Sequence, residues 1–210
     1  FLLRRQRRMS YRVIGKTAGA VTLIESVCMA SALMVAVIYG EDISPFLYSI
    51  AIMLAFGLPL YLLNRNVHGQ HSAKGGFIAV GIIWFVLSAF GALPFFFDGR
   101  FGGYINCFFE SVSGFTTTGS TILADIEILP RGILWWRSFT HFIGGMGILV
   151  LANAILPKAK DKSHYLLRAE VPGPMSDKYV PRLSASSQIS YCIYVAITLI
   201  QVICLLFTGI

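Results

Sequence analysis

The sequence predicts an all-α integral membrane protein, and three observations predict it. Of its 210 residues, 56% are hydrophobic and only 13% are charged, with a mean hydropathy of +0.71. Soluble domains carry about a quarter of charged residues, so this chain has more apolar surface than its own core can hide. Five long apolar runs, at 17–39, 45–63, 75–97, 132–156 and 189–210, each come close to the ~20 residues that a helix needs to cross a bilayer. The basic residues, finally, gather in alternate connections between these runs.

The first run follows Arg4, Arg5, Arg7, Arg8, Arg12 and Lys16. It is too long for the apolar part of a signal peptide, and no small-residue cleavage site leads from it into a soluble domain. An acidic turn, Glu41-Asp42, separates it from the second run, and Arg65 and Lys74 separate the second from the third. Pro59 and Pro94 fall near the ends of their runs, where a membrane helix tolerates them if neighbours satisfy the freed carbonyls. Between the third and fourth runs lies a short apolar stretch, 104–115, which cannot span and ends in Gly and Thr. The connection 157–188 carries Pro157, Pro172, Pro174, Pro181 and many charges, and reads as an exposed, partly ordered loop. The chain starts at Phe1 and stops at Ile210 in or just past an apolar run, so a fragment is expected.

The net charge of +7 invites nucleic-acid binding, but its distribution argues for topology. Fourteen of the 17 basic residues fall in the three segments before the first span, between the second and third, and between the fourth and fifth. By the positive-inside rule these face the cytoplasm, which places the N-terminus there in a multi-pass protein and leaves no role for nucleic acid. Glu41, Asp42, Asp98, Asp125 and Glu127 fall on the opposite face with Arg100, Arg131 and Arg137. Cys28, Cys107, Cys192 and Cys204 lie in apolar segments without CxxC spacing and read as small packing residues rather than a disulfide or zinc framework.

The chemistry concentrates in 101–131. Both flanking spans have their loop ends on the outer face, so 104–115 dips in and returns, and Thr116-Thr117-Thr118-Gly119-Ser120 follows it. Non-helical backbone at membrane depth is tolerated only where protein buries it or water lines it. Glycine allows unusual backbone angles, and threonine adds hydroxyl oxygens. Rings of carbonyl oxygens that replace a hydration shell are how potassium filters work. The short helix would also aim its negative C-terminal end at an entering cation. An ordinary polar turn between helices remains the competing reading of the same five residues.

Phe109-Glu110-Ser111-Val112-Ser113-Gly114-Phe115-Thr116-Thr117-Thr118-Gly119-Ser120-Thr121 resembles the first pore helix and filter of the Trk-type potassium uptake proteins, the TrkH family. Trp136-Arg137-Ser138, leading into Gly144-Gly145-Met146-Gly147-Ile148 and Ala154-Ile155-Leu156-Pro157, resembles the helix after that filter. Arg168-Ala169-Glu170-Val171-Pro172-Gly173-Pro174, with Pro181-Arg182 beyond it, is similar to the family's next cytosolic loop. The stretch between Pro157 and Arg168 departs from the pattern, being charged and without a glycine-rich run.

The resemblance implies a potassium-channel-like pore of four membrane–pore–membrane repeats behind two leading helices, in a bacterial inner membrane. On that plan 1–74 holds the basic N-terminus and leading helices, and 75–157 the first repeat with its filter. The segment 158–188 is then a cytosolic loop, and 189–210 the first helix of the second repeat. Thr116, Thr117, Thr118 and Gly119 would give one quarter of the filter, with Thr116 and Thr117 as K⁺ ligands and Glu110 and Ser120 as support. It further implies K⁺ as the transported ion, with no organic cofactor and no enzymatic activity expected. A homodimer with a cytosolic nucleotide-binding regulatory subunit is implied, and the 158–188 loop is read as its docking surface or as a contact for lipid headgroups.

Among the remaining residues, Glu110 braces the filter loop or adds negative potential to a vestibule, bracing being preferred because a charge in the membrane demands partners. Glu25, in the first span, is expected to be a partnered packing residue rather than a relay, and His141 a hydrogen-bonded packing group. Arg137 snorkels outward or pairs with an outer carboxylate. Asp125 and Glu127 either concentrate cations at the mouth or belong to a plain solvated loop. Two other function classes are open. An intramembrane serine protease would use Ser113 with His141, but the motif Ser111-Val112-Ser113-Gly114 lacks the required glycine, and a nucleophile needs its base within reach. A membrane scaffold explains the spans but not the short re-entrant helix. Within transport, a sodium-coupled or sodium-permeable relative is the alternative.

Overall fold

A computed structural model describes residues 2–65, 73–155 and 183–208 of the chain. Among the described residues it is built of helices, with no strand. The order is α1 (Leu2–Ile38), α2 (Ser44–Asn64), α3 (Ala73–Gly91), α4 (Leu93–Asp98), α5 (Tyr104–Phe115), α6 (Arg131–Ile155) and α7 (Leu183–Thr208). Four stretches, Arg12–Ile38, Ser44–Asn64, Ala79–Asp98 and Ile189–Thr208, are long and apolar enough to cross a membrane. The remaining apolar run, the fourth in the chain, falls in the 25-residue α6. The chain divides into a unit from Phe1 to Phe142 and one from Ile143 to Ile210.

In the first unit α1 and α2 form a hairpin turned at Gly40, whose φ of 66° is the left-handed value a tight reversal needs. Asp42 starts α2: its carboxylate accepts the Ser44 N–H at 2.9 Å and the Ser44 hydroxyl at 2.7 Å. α1 begins well before the apolar run, since the basic residues ahead of it continue the same helix. Pro59 lies inside α2 without ending it. The third span, by contrast, is two helices. Pro94 has no N–H to give and favours a helix start, so the chain breaks at Ala92 and restarts as α4. Gly99, at φ 81°, ends α4.

The core of this unit is made of buried Met29, Ala32 and Ala36 of α1, Phe46 and Met53 of α2, and Phe95, Phe101, Phe115, Ile133 and Trp136 from the elements that follow. Small residues on α1 let its neighbours approach closely, as membrane helices require. Many large apolar side chains point outward, Leu63 and Ile105 among them. That suits lipid or further protein rather than water.

In the second unit the remainder of α6 is followed by α7, whose apolar residues are exposed on every described side. A side chain at Gly145 would meet the Tyr194 hydroxyl at 2.5 Å, so the glycine-rich stretch serves close helix approach as expected. The proposed loop 158–188 lies outside the described residues as far as 182, and its last six positions open α7 instead. The docking reading and the Arg168–Pro174 motif therefore also lie outside them.

Candidate ion-filter site

The short stretch between the third and fourth apolar runs is the amphipathic helix α5, twelve residues that stop at Phe115. Gly103, extended at φ −71° and ψ 158°, opens it, and its carbonyl accepts from Asn106 N at 3.0 Å and Cys107 N at 3.3 Å. The Tyr104 hydroxyl donates to Ala89 O of α3 at 2.7 Å, fixing the entry.

The other end carries the unusual geometry. Thr117 N–H donates to Gly114 O at 2.9 Å and Thr118 N–H to Ser113 O at 3.0 Å. These two bonds form a Schellman cap, whose third partner is a left-handed residue that is usually glycine. Here it is Thr117, at φ 56°, among the described residues the one non-glycine with positive φ. Gly119 is left-handed again at φ 76°. Left-handed residues at alternate positions turn successive carbonyls that would otherwise point to opposite sides of an extended chain. Thr116, Thr117, Thr118 and Gly119 are all exposed, and no described donor reaches their carbonyl oxygens. The Thr116 and Thr118 hydroxyls lie 2.8 Å apart, and the Thr116 hydroxyl also donates to Val112 O at 2.7 Å.

Beyond Gly119 the chain is pinned back onto α5. The Ser113 hydroxyl donates to Ser120 O at 2.6 Å. Glu110, 1% exposed, accepts the Thr121 hydroxyl at 3.1 Å and Ile122 N–H at 3.2 Å on Oε2. Its Oε1 takes Arg137 Nε of α6 at 2.6 Å. One carboxylate thus joins α5, the returning loop and α6. Bracing is the geometry observed for Glu110, and Ser120 enters through its backbone carbonyl rather than its side chain.

α6 is locked in register from three sides. Glu41, in the α1–α2 turn, accepts Arg131 N–H at 2.7 Å and Gly132 N–H at 2.9 Å, so a carboxylate caps a helix N-terminus. Trp136 Nε1 donates to Gly91 O at 2.9 Å and Trp135 Nε1 to Ser31 Oγ at 3.0 Å. A side chain on Gly114 would overlap Thr140, so α5 and α6 touch backbone to side chain there.

Several expectations resolve on these contacts. Arg137 pairs with a carboxylate, but with Glu110 on α5 rather than one in an outer loop. His141 Nδ1 lies 2.9 Å from Arg137 O, a packing contact as expected. Ser113 commits its hydroxyl to Ser120 O, and no hydrogen bond joins it to His141 among the described residues, so the protease arrangement is not assembled. Glu25 is a correction. It is buried as expected of packing, yet neither carboxyl oxygen has a hydrogen-bond partner. Asp125 Oδ1 accepts Glu127 N–H at 2.9 Å, and both residues are exposed in a turn. Sequence reasoning missed Glu41 and Ser113 as supports. The acidic turn between the first two spans and a serine one turn after Glu110 were the available signals.

The TrkH family of cation transport proteins matches residues 43–209. The Trk system potassium uptake protein TrkH of Escherichia coli (strain K12) is 38% identical over 204 residues, covering 96% of this chain and 42% of that protein. TrkH of Halomonas elongata is 34% identical over 90% of this chain and 40% of its own length. The crystal structure of the potassium transporter TrkH from Vibrio parahaemolyticus superimposes with a TM-score of 0.73 at 32% identity, over 90% of this chain and 38% of that one. The chain thus spans about two-fifths of the length of the curated relatives it matches.

Proposed function

From the premise that the chain belongs to the TrkH family of cation transport proteins, we propose that it forms the leading part of a membrane protein that admits K⁺ to the cell. Its own share is one quarter of the filter, made by the carbonyl oxygens of Thr116, Thr117, Thr118 and Gly119. The observation that carries this reading is a run of four exposed residues whose carbonyls accept from no described donor, with left-handed backbone at 117 and 119. A dehydrated K⁺ needs such oxygens held at fixed spacing, and the Glu110 and Ser113 bonds on the far side of the loop supply that fixity. Thr116 and Thr117 are the residues assigned to the ion, with Glu110 and Ser120 in support. Relatives named as potassium uptake proteins support the choice of ion.

On this reading 1–74 supplies the two leading helices, 75–157 the first membrane–pore–membrane unit, 158–188 a cytosolic connection and 189–210 the first helix of the next unit. The protein sits in the bacterial inner membrane with its N-terminus in the cytoplasm. Ions flow down their electrochemical gradient, and no step makes or breaks a covalent bond. The assembly is a homodimer, in contact with membrane lipid and with a cytosolic nucleotide-binding regulatory subunit docked on its basic face.

The test is rescue of growth at low K⁺ in a potassium-uptake-deficient bacterium. The full-length parent is compared with its Gly119→Asp variant, both checked for insertion. Aspartate tolerates left-handed φ better than most residues, so the variant adds a charge at the filter with modest backbone strain. Rescue by the parent and loss in the variant is the expected result. Rescue that survives Gly119→Asp makes 116–119 a mere turn. Growth supported only in high Na⁺ moves the protein to the sodium-permeable relatives.

A further inference from the structure

We propose that Glu25 and Ser111 form a buried hydration site behind the pore helix, in which one water molecule bridges the carboxyl group of α1 to the hydroxyl of α5. Both side chains are closed off, Glu25 at 2% exposure and Ser111 at 0%. Glu25 Oε1, Glu25 Oε2 and Ser111 Oγ are all without a hydrogen-bond partner. Buried polar groups are nearly always partnered, so an orphaned carboxyl and an orphaned hydroxyl call for an occupant.

They are in one place because both converge on Gly91. An atom added as a side chain there would lie 3.0 Å from Glu25 Oε1 and 2.8 Å from Ser111 Oγ. The two oxygens are therefore no more than about 6 Å apart, a distance one water can bridge. Three neighbouring polar groups are already engaged. Gly91 O accepts from Trp136 Nε1, the Thr22 hydroxyl donates to Ala18 O, and the Ser26 hydroxyl to Leu23 O.

Their burial decides what kind of occupant can fill the place. A protein group from elsewhere in a longer chain has no surface through which to reach these oxygens, whereas a water needs only two to four polar partners. The carboxyl group and the hydroxyl provide three. A Phe115 ring carbon lies 2.6 Å from the same point at Gly91, and Phe115 is the last residue of α5 before Thr116. The water thus joins the leading helix to the pore helix at the end that carries the filter residues. Nothing in this argument depends on which ion the filter passes.

The experiment is a cryo-EM map of the full-length parent in lipid nanodiscs, at a resolution that shows ordered water, in K⁺ and again with alkali cations replaced by N-methylglucamine. A peak within hydrogen-bond distance of both Glu25 and Ser111 Oγ, present in both maps, is expected. Glu25→Gln keeps it, because an amide can still bond a water, and Ser111→Ala loses it. No peak, or a direct Glu25–Ser111 bond, overturns the site. A peak that vanishes with the alkali cations overturns water in favour of a bound cation, and one that survives Ser111→Ala overturns the bridge. Each readout is independent of potassium rescue, so this site and the filter assignment fail separately.

Discussion

At Thr117 a β-branched residue holds a φ of 56°, where a side chain crowds its own backbone at a cost of roughly 1–2 kcal/mol. Glycine would carry the same Schellman cap without that cost. Thr117→Gly in the full-length protein is therefore expected to raise its melting temperature while lowering K⁺ uptake, because the hydroxyl and the fixed carbonyl direction are lost together. Thermal unfolding and ⁸⁶Rb⁺ uptake on one preparation check both halves. Glu110 presents the opposite balance. Its bond to Arg137 is buried on the Glu110 side and part-buried on the other, with the side chains 1% and 13% exposed. Removing one charge leaves the other unpaired at a cost of about 3–5 kcal/mol. Glu110→Gln should thus destabilise strongly, Arg137→Gln similarly, and the double variant by much less than their sum. Additive losses in a double-mutant cycle would falsify the pair. The intramembrane acid was legible in sequence as a residue that demanded a partner. Which partner it took was not, because Arg137 lies 27 positions away on another helix.

At the scale of the element, α5 was legible because twelve residues too few to span end abruptly in Gly and Thr. The split of the third span was less so, since hydropathy runs unbroken across Ala92 and only Pro94 marks the restart. The cap on α6 was invisible to local reasoning, because its carboxylate comes from the α1–α2 turn. Glu41→Ala should cost about 1–2 kcal/mol, the usual worth of a lost N-cap. It should also speed hydrogen exchange at the Arg131 and Gly132 amides, while the α2 amides stay protected. The neighbouring turn adds a pH dependence. The backbone N–H of Ser44, and then its hydroxyl, hold the Asp42 carboxyl below its usual range. A group depressed in the folded state contributes stability above its unfolded value and loses it as pH falls through the folded one. Fraying at the start of α2 should therefore grow only under acid, below the ordinary aspartate range. Asp42→Asn should remove that acid dependence in amide-exchange profiles.

At the scale of the whole molecule, the chain covers 42% of the E. coli relative, and a closed ring of filter oxygens needs four quarters on the proposed plan. Expressed alone, these 210 residues should insert in the membrane and fail to restore growth at low K⁺, whereas the full-length parent restores it. Growth restored by the 210-residue chain by itself would mean that it completes a pore in some other way, and the four-repeat plan would fall.

The amino-acid sequence by itself determined the helical class, the apolar runs, the family and the position of the turn after α5. Each depends on composition or spacing along one stretch of chain, which hydropathy and motif read directly. The tertiary structure alone decided which groups meet, Glu110 with Arg137, Ser113 with Ser120 and Glu41 with the start of α6, and which are left without partners, Glu25 and Ser111 near Gly91. A buried polar group must find a partner, but many partners satisfy that rule. Only the packing of one helix on another brings a particular pair within about 3 Å.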